Sequence, residues 1–512
     1  MAQIPILTSI IFMLFLGVVV TLLIRADDLF VVNRNSRHVG IFASVTTLIM
    51  SLFLLRVSWT GATFIPQREV WSMGNFSHIT IVLGVDQLSI VMLILSSFLF
   101  FIIHISDGIK PTRHREYIVA LLLTQAIVTG FWCVQNMLMF YILFEMVLIP
   151  LFYMIGIWGG EKRYDAAFKF ILVTAAGSFL FLFSLLIIYK TYGTFDFSEL
   201  HLRMQNIPPH PLVWWGMMAA FAIKTPMLFV HAWLPRAHVE APTSASMILA
   251  GILLKFGVYG MMRCLVHLMP DMTAHYAEVF RILSVAALVY ASAAAFVQAD
   301  MKRMIAYASV AHMGVVTLGI FSLTSLGFQG AFFQMVSHGI VSSALFYCLG
   351  LLHTVTGTRN LTEVSGLGEK NPVLIGCLGV FVFALIGLPG TSGFIGEILV
   401  FLGIPSGNIG VLVVAVSGLV LSSAYGLRLI AHLGFGPYRV PESARLCVLG
   451  PEEKFTLACF VAVIVWLGIF PEHLRGYAQP ALEAIVPIAR QISIGRPLDN
   501  PSSQPMIEEV LL

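Results

Sequence analysis

The sequence predicts an all-α polytopic membrane protein of about fourteen transmembrane helices, with two inverted five-helix repeats and two broken helices. Three observations predict it. Of 512 residues, 58% are hydrophobic and only 11% charged, where an ordinary soluble domain carries about 25% charge. Runs of about 20 apolar residues, the length that crosses a bilayer, recur along the whole chain. Proline and glycine interrupt two of these runs in equivalent places. Only helices or closed barrels satisfy the backbone in lipid, and these runs are too long and too continuously apolar for barrel strands.

In chain order, spanning segments are expected near 4–24, 39–56, 80–105, 117–135, 137–157, 166–190, 212–234, 243–266, 278–298, 303–323, 328–353, 372–402, 410–432 and 455–471. The first, Ile4 to Ile24, is uncharged and stops at Arg25. It lacks a basic leader and is longer than a signal-peptide core, so it reads as a retained helix. Residues 474–489 read as an interfacial amphipathic helix and 491–512 as a polar tail. Four parts are expected: three N-terminal helices in 1–116, a first repeat in 117–266, a second in 278–432, and the last span with interfacial helix and tail in 455–512.

Lysine and arginine set the orientation. Odd-numbered connections carry eighteen of them, even-numbered connections and the C-terminal tail nine. Odd connections therefore face the negative side, and both termini the positive side. Two basic residues remain, Lys224 and Lys255, both inside spans. The repeat shows at an offset of 163 residues: Val134-Gln135 with Val297-Gln298, Gly156-Ile157 with Gly319-Ile320, and Pro226 with Pro389. Five spans separate the equivalents, an odd number, so the second copy is inverted. The six cysteines (Cys133, Cys264, Cys348, Cys377, Cys447, Cys459) stand singly and read as small apolar residues. A net charge of +3 points to no nucleic-acid partner.

Charges within these runs are the candidate chemistry, because an ionisable group at membrane depth is costly unless paired or hydrated. Lys224 lies about twelve residues into its span, too deep for simple snorkelling. Two residues on, Pro226 lacks a donor and is expected to free the carbonyl of Ala222, making the spot locally polar. Lys255 is again near mid-span, and two lysines on consecutive spans couple their titrations, as a proton relay requires. Glu145 is the only charge between Glu116 and Glu161 and is the natural partner of Lys224, as a switch or as a static ion pair. Glu397 follows a second break, Leu388-Pro-Gly-Thr-Ser-Gly-Phe-Ile-Gly396, in which Pro389 and Gly390 disfavour helix. No basic residue shares its span, so its partner comes from another helix. His231, His312 and His338 lie in or at the ends of spans, as bridges between lysines or as hydrogen-bonded core histidines. Asp300, Lys302 and Arg303 read as a connection that sets orientation. The chain has no GxGxxG, no P-loop and no cluster-ligand spacing, so no cofactor and no metal is expected in it. Redox energy must arrive from partner subunits.

The run His231-Ala-Trp-Leu-Pro-Arg-Ala-His-Val-Glu-Ala-Pro-Thr-Ser-Ala-Ser-Met-Ile-Leu-Ala-Gly-Ile-Leu-Leu-Lys255 resembles the antiporter-like subunit M family of NADH:quinone oxidoreductase, respiratory complex I, the equivalent of mitochondrial chain 4. So do Asp300-Met-Lys-Arg-Met-Ile-Ala-Tyr-Ala-Ser-Val-Ala-His-Met-Gly314 and Gly393-Phe-Ile-Gly-Glu397. The resemblance covers nearly the whole chain. It implies fourteen helices in two inverted repeats with the seventh and twelfth broken. It implies a Glu145–Lys224 pair, a central Lys255 and a terminal acid at Glu397, where sister antiporter-like chains tend to have lysine. It places FMN, iron–sulfur clusters, NADH and quinone in partner subunits, with neighbouring antiporter-like subunits and the bilayer as contacts. A bacterial inner membrane is expected, with the mitochondrial inner membrane as the alternative. The competing functions are a monovalent cation/proton antiporter subunit and a non-conducting scaffold.

Overall fold

The computed structural model describes residues 5–60, 67–72, 80–106, 112–441 and 449–493. Cys447, the basic residues Lys110, Arg445 and Arg496, and the tail beyond residue 493 lie outside the described residues.

The helices are α1 (Ile6–Leu23), α2 (Leu29–Thr60), α3 (Gln87–Ser106), α4 (His114–Cys133), α5 (Met137–Trp158), α6 (Arg163–Tyr192), α7 (Phe197–Asn206), α8 (Pro211–Lys224) and α9 (Trp233–Glu240). They continue as α10 (Thr243–Val266), α11 (Pro270–Phe296), α12 (Met301–Phe321), α13 (Ser325–Thr356), α14 (Pro372–Leu385), α15 (Ser392–Leu402), α16 (Ile409–Gly434), α17 (Pro451–Ile469) and α18 (Glu472–Ser493). Among the described residues eleven helices are long and apolar enough to cross a membrane, or twelve if the bent pair α17–α18 is one span. Three apolar helices, α8, α14 and α15, are shorter. They are the pieces left by the two interruptions, at 225–232 and 386–391.

Local chemistry fixes the starts. α8, α11, α14 and α17 begin on proline, whose missing N–H costs nothing in a first turn. Asn136 caps α5 by accepting from the N–H groups of Leu138 and Met139 at 3.0 and 3.2 Å. Asp300 caps α12 by accepting from Arg303 N–H at 2.8 Å. These two caps sit in matching backbone bridges. Met137 N–H donates to Phe195 O and Phe197 N–H to Gln135 O, while Met301 N–H donates to Arg359 O and Leu361 N–H to Ala299 O. The two sets lie 164 residues apart, one more than the sequence offset.

Two sequence expectations change. The chain is not wholly helical: β1 (Gln67–Ser72) and β2 (Thr80–Val85) form an antiparallel hairpin with Val70 opposite Val82. The segment expected as a span from 80 therefore begins as a strand, rich in β-branched residues, and turns helical only after Asp86 caps α3. Lys302 and Arg303 are not in a connection. The Asp300 cap puts both in the first turn of α12, and Lys302 is buried.

The most enclosed helices are α10, α12 and α13, at the centre of the molecule. α11 packs on α12 and α16, α13 on α12 and α15, and α6 on α8. α1 and α2, packed on α4 and α3, present large apolar residues such as Phe12, Phe42 and Phe53 outward. The five described cysteines are free thiols.

Candidate functional site: a line of ionisable side chains through the core

Lys224 is the last helical residue of α8 and is 1% exposed. Its Nζ donates to Phe144 O at 2.8 Å and lies 4.1 Å from the centre of the Phe144 ring, a cation–π distance. Glu145 Oε1 is 4.0 Å away, at the edge of ion-pair range. The Glu145 side chain also accepts from the Ser178 hydroxyl of α6. Glu145 departs from expectation in one respect: its side chain is 22% exposed on the outer face of α5, so it flanks the buried line rather than lying within it.

The break after Lys224 also differs from the expectation drawn from Pro226. The Ala222 carbonyl is not free, because Met227 N–H donates to it at 2.9 Å. A wider turn replaces the bond that proline removes. Trp233 Nε1 takes the neighbouring Ile223 O at 3.0 Å. Both carbonyls are taken, and the polar side chains at this spot are Lys224 and the buried Thr225.

Lys255, fully buried on α10, follows a π-helical stretch over Leu249–Leu253. Its Nζ donates to Ala250 O at 2.5 Å and stands 2.8 Å from His338 Nδ1 on α13. A protonated lysine can only donate, so Nδ1 then accepts and the imidazole carries its proton on Nε2. The His338 and His312 ring centres are 5.8 Å apart. His312 Nδ1 on α12 is 3.2 Å from Glu397 Oε1, an ion-pair distance when the ring is protonated. Gln334 Nε2 lies 3.4 Å from the same nitrogen. Glu397 is 2% exposed in the second turn of α15, just past the break that holds Pro389 and Gly390. Gly387 of that break has φ 70°, and its missing side chain leaves room for the Glu397 carboxylate.

The structure thus joins Lys255, His338, His312 and Glu397 in one line, and sets Glu145 beside Lys224. α8 and α10 pack tightly: a Cβ on Gly257 would come 2.6 Å from Phe221 O. His231 is not brought to either lysine among the described contacts. Its ring faces Tyr290 and Tyr307 at 5.3 and 6.2 Å between centres.

Several polar groups escaped sequence reading. Buried Lys302 donates to Ala241 O at 2.8 Å, near His238, whose ring stacks on Phe346 at 4.4 Å. Asp86, Ser89, Tyr259 and Arg263 form a second buried network, in which Arg263 pairs with Asp86. A spacing of four residues between Lys255, Tyr259 and Arg263 is the signal that could have found it. No group of three or more metal-ligating side chains occurs among the described residues.

A helical membrane protein whose core carries lysine, histidine and carboxylate in sequence, between two interrupted helices, is built as an antiporter-like membrane subunit. Residues 134–422 match the family described as NADH:quinone oxidoreductase/Mrp antiporter, TM. The chain is 38% identical to NADH-quinone oxidoreductase subunit M of Rickettsia prowazekii (strain Madrid E), over 95% of this chain and 99% of that one. It superposes on a chain of respiratory complex I from Thermus thermophilus with TM-score 0.84 and 27% identity, covering 94% and 99% of the two chains. A chain of the Mrp complex from Dietzia sp. DQ12-45-1b shares the fold, with TM-score 0.82 at 18% identity over 96% and 99%. The chain belongs to the NADH-quinone oxidoreductase subunit M family, the antiporter-like subunits of the complex I membrane arm.

Proposed function

We propose that this chain translocates protons for NADH:quinone oxidoreductase, through a relay of Glu145, Lys224, Lys255, His338, His312 and Glu397. One observation carries the reading. Lys255 Nζ reaches His338 Nδ1 at 2.8 Å, and His312 meets Glu397 at 3.2 Å, so titratable groups succeed one another through the buried centre. Each can hold or pass a proton, and each proton moved changes the field at the next. Electron transfer in partner subunits changes the electrostatics at Glu145–Lys224. Lys224 then passes a proton towards Lys255, and Glu397 leads to the positive side. FMN, iron–sulfur clusters, NADH and quinone belong to those partners. This chain supplies the proton path and no redox step. His231 enters the relay by its position in the break alone.

The same reading counts fourteen spans, taking α8 with α9 and α14 with α15 as one broken span each. It divides the chain into residues 1–116, 117–266, 278–432 and 455–512, with the two middle parts as inverted repeats. The paired backbone bridges 164 residues apart support the repeat, as do the proline starts of α8 and α14 ahead of the two breaks. The location is a bacterial inner membrane or its mitochondrial counterpart, and neighbouring antiporter-like subunits are the partners.

The test is proton pumping per NADH oxidised in membrane vesicles whose complex assembly has been checked. Lys224→Ala, Lys255→Ala and Glu145→Ala should each lower it, and Glu145→Gln should separate charge from shape. Normal pumping in all of them, with assembly intact, rejects both relay and switch and leaves a scaffold. Proton movement that requires sodium or potassium and no NADH would favour a cation/proton antiporter, to which the Mrp-type fold is open.

A further inference from the structure

We infer that Tyr259, Ser89 and Asp86 form a proton wire that branches from Lys255 towards the positive side within the N-terminal half of the chain. The inference rests on the relay and the orientation proposed above.

From Tyr259 to Asp86 the wire is continuous in hydrogen bonds, and Lys255 precedes Tyr259 by one turn of α10. Tyr259 Oη lies 3.1 Å from Ser89 Oγ, and Ser89 Oγ donates to Asp86 Oδ1 at 2.7 Å. Asp86, Ser89 and Tyr259 are 3%, 0% and 4% exposed, so this path is enclosed by protein. Two hydroxyls in series both donate and accept, which is what passing a proton along a chain requires. The carboxylate at the end is an acceptor only while ionised. Arg263 keeps it so: its guanidinium pairs with Asp86 and donates from Nε to Tyr259 Oη at 3.1 Å. Arg263 is therefore a positioning residue, since it cannot itself release a proton.

The wire has a source and an outlet. Lys255, Tyr259, Arg263 and His267 recur every fourth residue along α10 and just past its end. In a plain α-helix this spacing drifts by about 40° per step. The π-helical turn over Met261–Val266 winds the other way and holds the stripe together. The stripe runs from mid-span to the end of α10 on the positive side. There the His267 ring stacks on His201 of α7, with ring centres 4.5 Å apart, and His201 is partly exposed.

One turnover balances without any other reactant. The Lys255 ammonium gives up a proton and becomes an amine. Tyr259 takes one proton and hands its own to Ser89, and Ser89 does the same to Asp86, which becomes a carboxylic acid. Arg263 stays charged but loses its anion, and it regains it when Asp86 releases the proton outward. A static clamp between α3 and α10 would need only Asp86 and Arg263. The phenol hydroxyl is the part such a clamp does not require.

Vesicles carrying the whole complex test this, with protons moved per NADH oxidised as the readout. Tyr259→Phe removes one oxygen, and Asp86→Asn keeps the shape. Each should lower the ratio by at least half of the fall caused by Lys255→Ala. A wild-type ratio in Tyr259→Phe, with Lys255→Ala lowered, overturns the wire and leaves the relay standing. If Asp86→Asn does not assemble, Tyr259→Phe decides alone. An undiminished ratio in Lys255→Ala removes the relay and this branch with it.

Discussion

Replacing Lys255 by methionine separates what the lysine does for stability from what it does for function. The side chain is fully buried, and its Nζ makes two contacts, to Ala250 O and to His338 Nδ1. Methionine fills nearly the same volume without polar atoms. Exchanging buried ionic groups for apolar ones of like size is neutral or stabilising by about 1–4 kcal/mol. His338 Nδ1 loses its partner, which subtracts about 1–2 kcal/mol. The expected result is a complex between about 2 kcal/mol less stable and about 3 kcal/mol more stable, in which this chain no longer pumps. Lys255→Ala adds a cavity, and loss of packing on that scale costs about 2–5 kcal/mol. Stability should therefore rank Lys255→Met above Lys255→Ala, while both variants lose pumping alike. The assay is the temperature at which the chain leaves the detergent-solubilised complex, beside protons moved per NADH in vesicles. A methionine variant no more stable than the alanine one, or one that pumps normally, refutes the reasoning.

Gly257→Ala should cost about 1–3 kcal/mol and lower pumping, because even a methyl group there meets Phe221 O of α8 at 2.6 Å and Thr225 N just past it at 3.0 Å. Gly376→Ala, where nothing lies within 4 Å, is the control, and equal effects in the two would reject the packing argument. At the α7–α10 contact, partial burial holds His201 below its ordinary value of about 6.5, more than a hydrogen bond donated to the His267 backbone raises it. A histidine with a depressed value stabilises the fold above about pH 6.5 and loses that contribution as pH falls further. Hydrogen exchange in Phe197–Asn206, corrected for intrinsic rates, should rise below about pH 6.5 in the wild type and not in His201→Phe. A flat profile in the wild type would show that the stack does not sense pH.

The sequence made Lys224, Lys255 and Glu397 visible because lipid makes every charge inside an apolar run expensive. The same cost made both interruptions visible, since proline and glycine stand out there. What it concealed depends on which helices meet. Asp86 and Arg263 are 177 residues apart and each adjoins a connection, so each reads as an ordinary end-of-span charge until α3 meets α10. Lys302 was misread for a related reason: its depth follows from the Asp300 cap, which moves the start of α12. Pro226 predicted a broken helix correctly and a free Ala222 carbonyl wrongly, because the rule counts the bond removed and not the wider turn that replaces it. The partial exposure of Glu145 depends on what lies outside α5, which no single-chain pattern encodes.

The three lysines buried among the described residues share one kind of partner. Lys224 donates to Phe144 O, three residues before the interruption of α5 at Val147. Lys255 donates to Ala250 O inside a π-helical turn, and Lys302 donates to Ala241 O where α9 ends. In each case the acceptor is a main-chain carbonyl at or near an irregular turn, where the regular ladder no longer claims it fully. A carboxylate partner favours the ammonium form strongly and resists its deprotonation. A carbonyl accepts from an ammonium and, more weakly, from an amine, so the bond can outlast the loss of a proton. Helix irregularity thus gives each lysine a partner that suits both of its states. Lys224 adds a carboxylate, at 4.0 Å rather than in contact, where a small movement of Glu145 changes the balance. In the proposed relay the sensitive point is then the Glu145 end, and Lys255, held by Ala250 O and His338, stands at the centre.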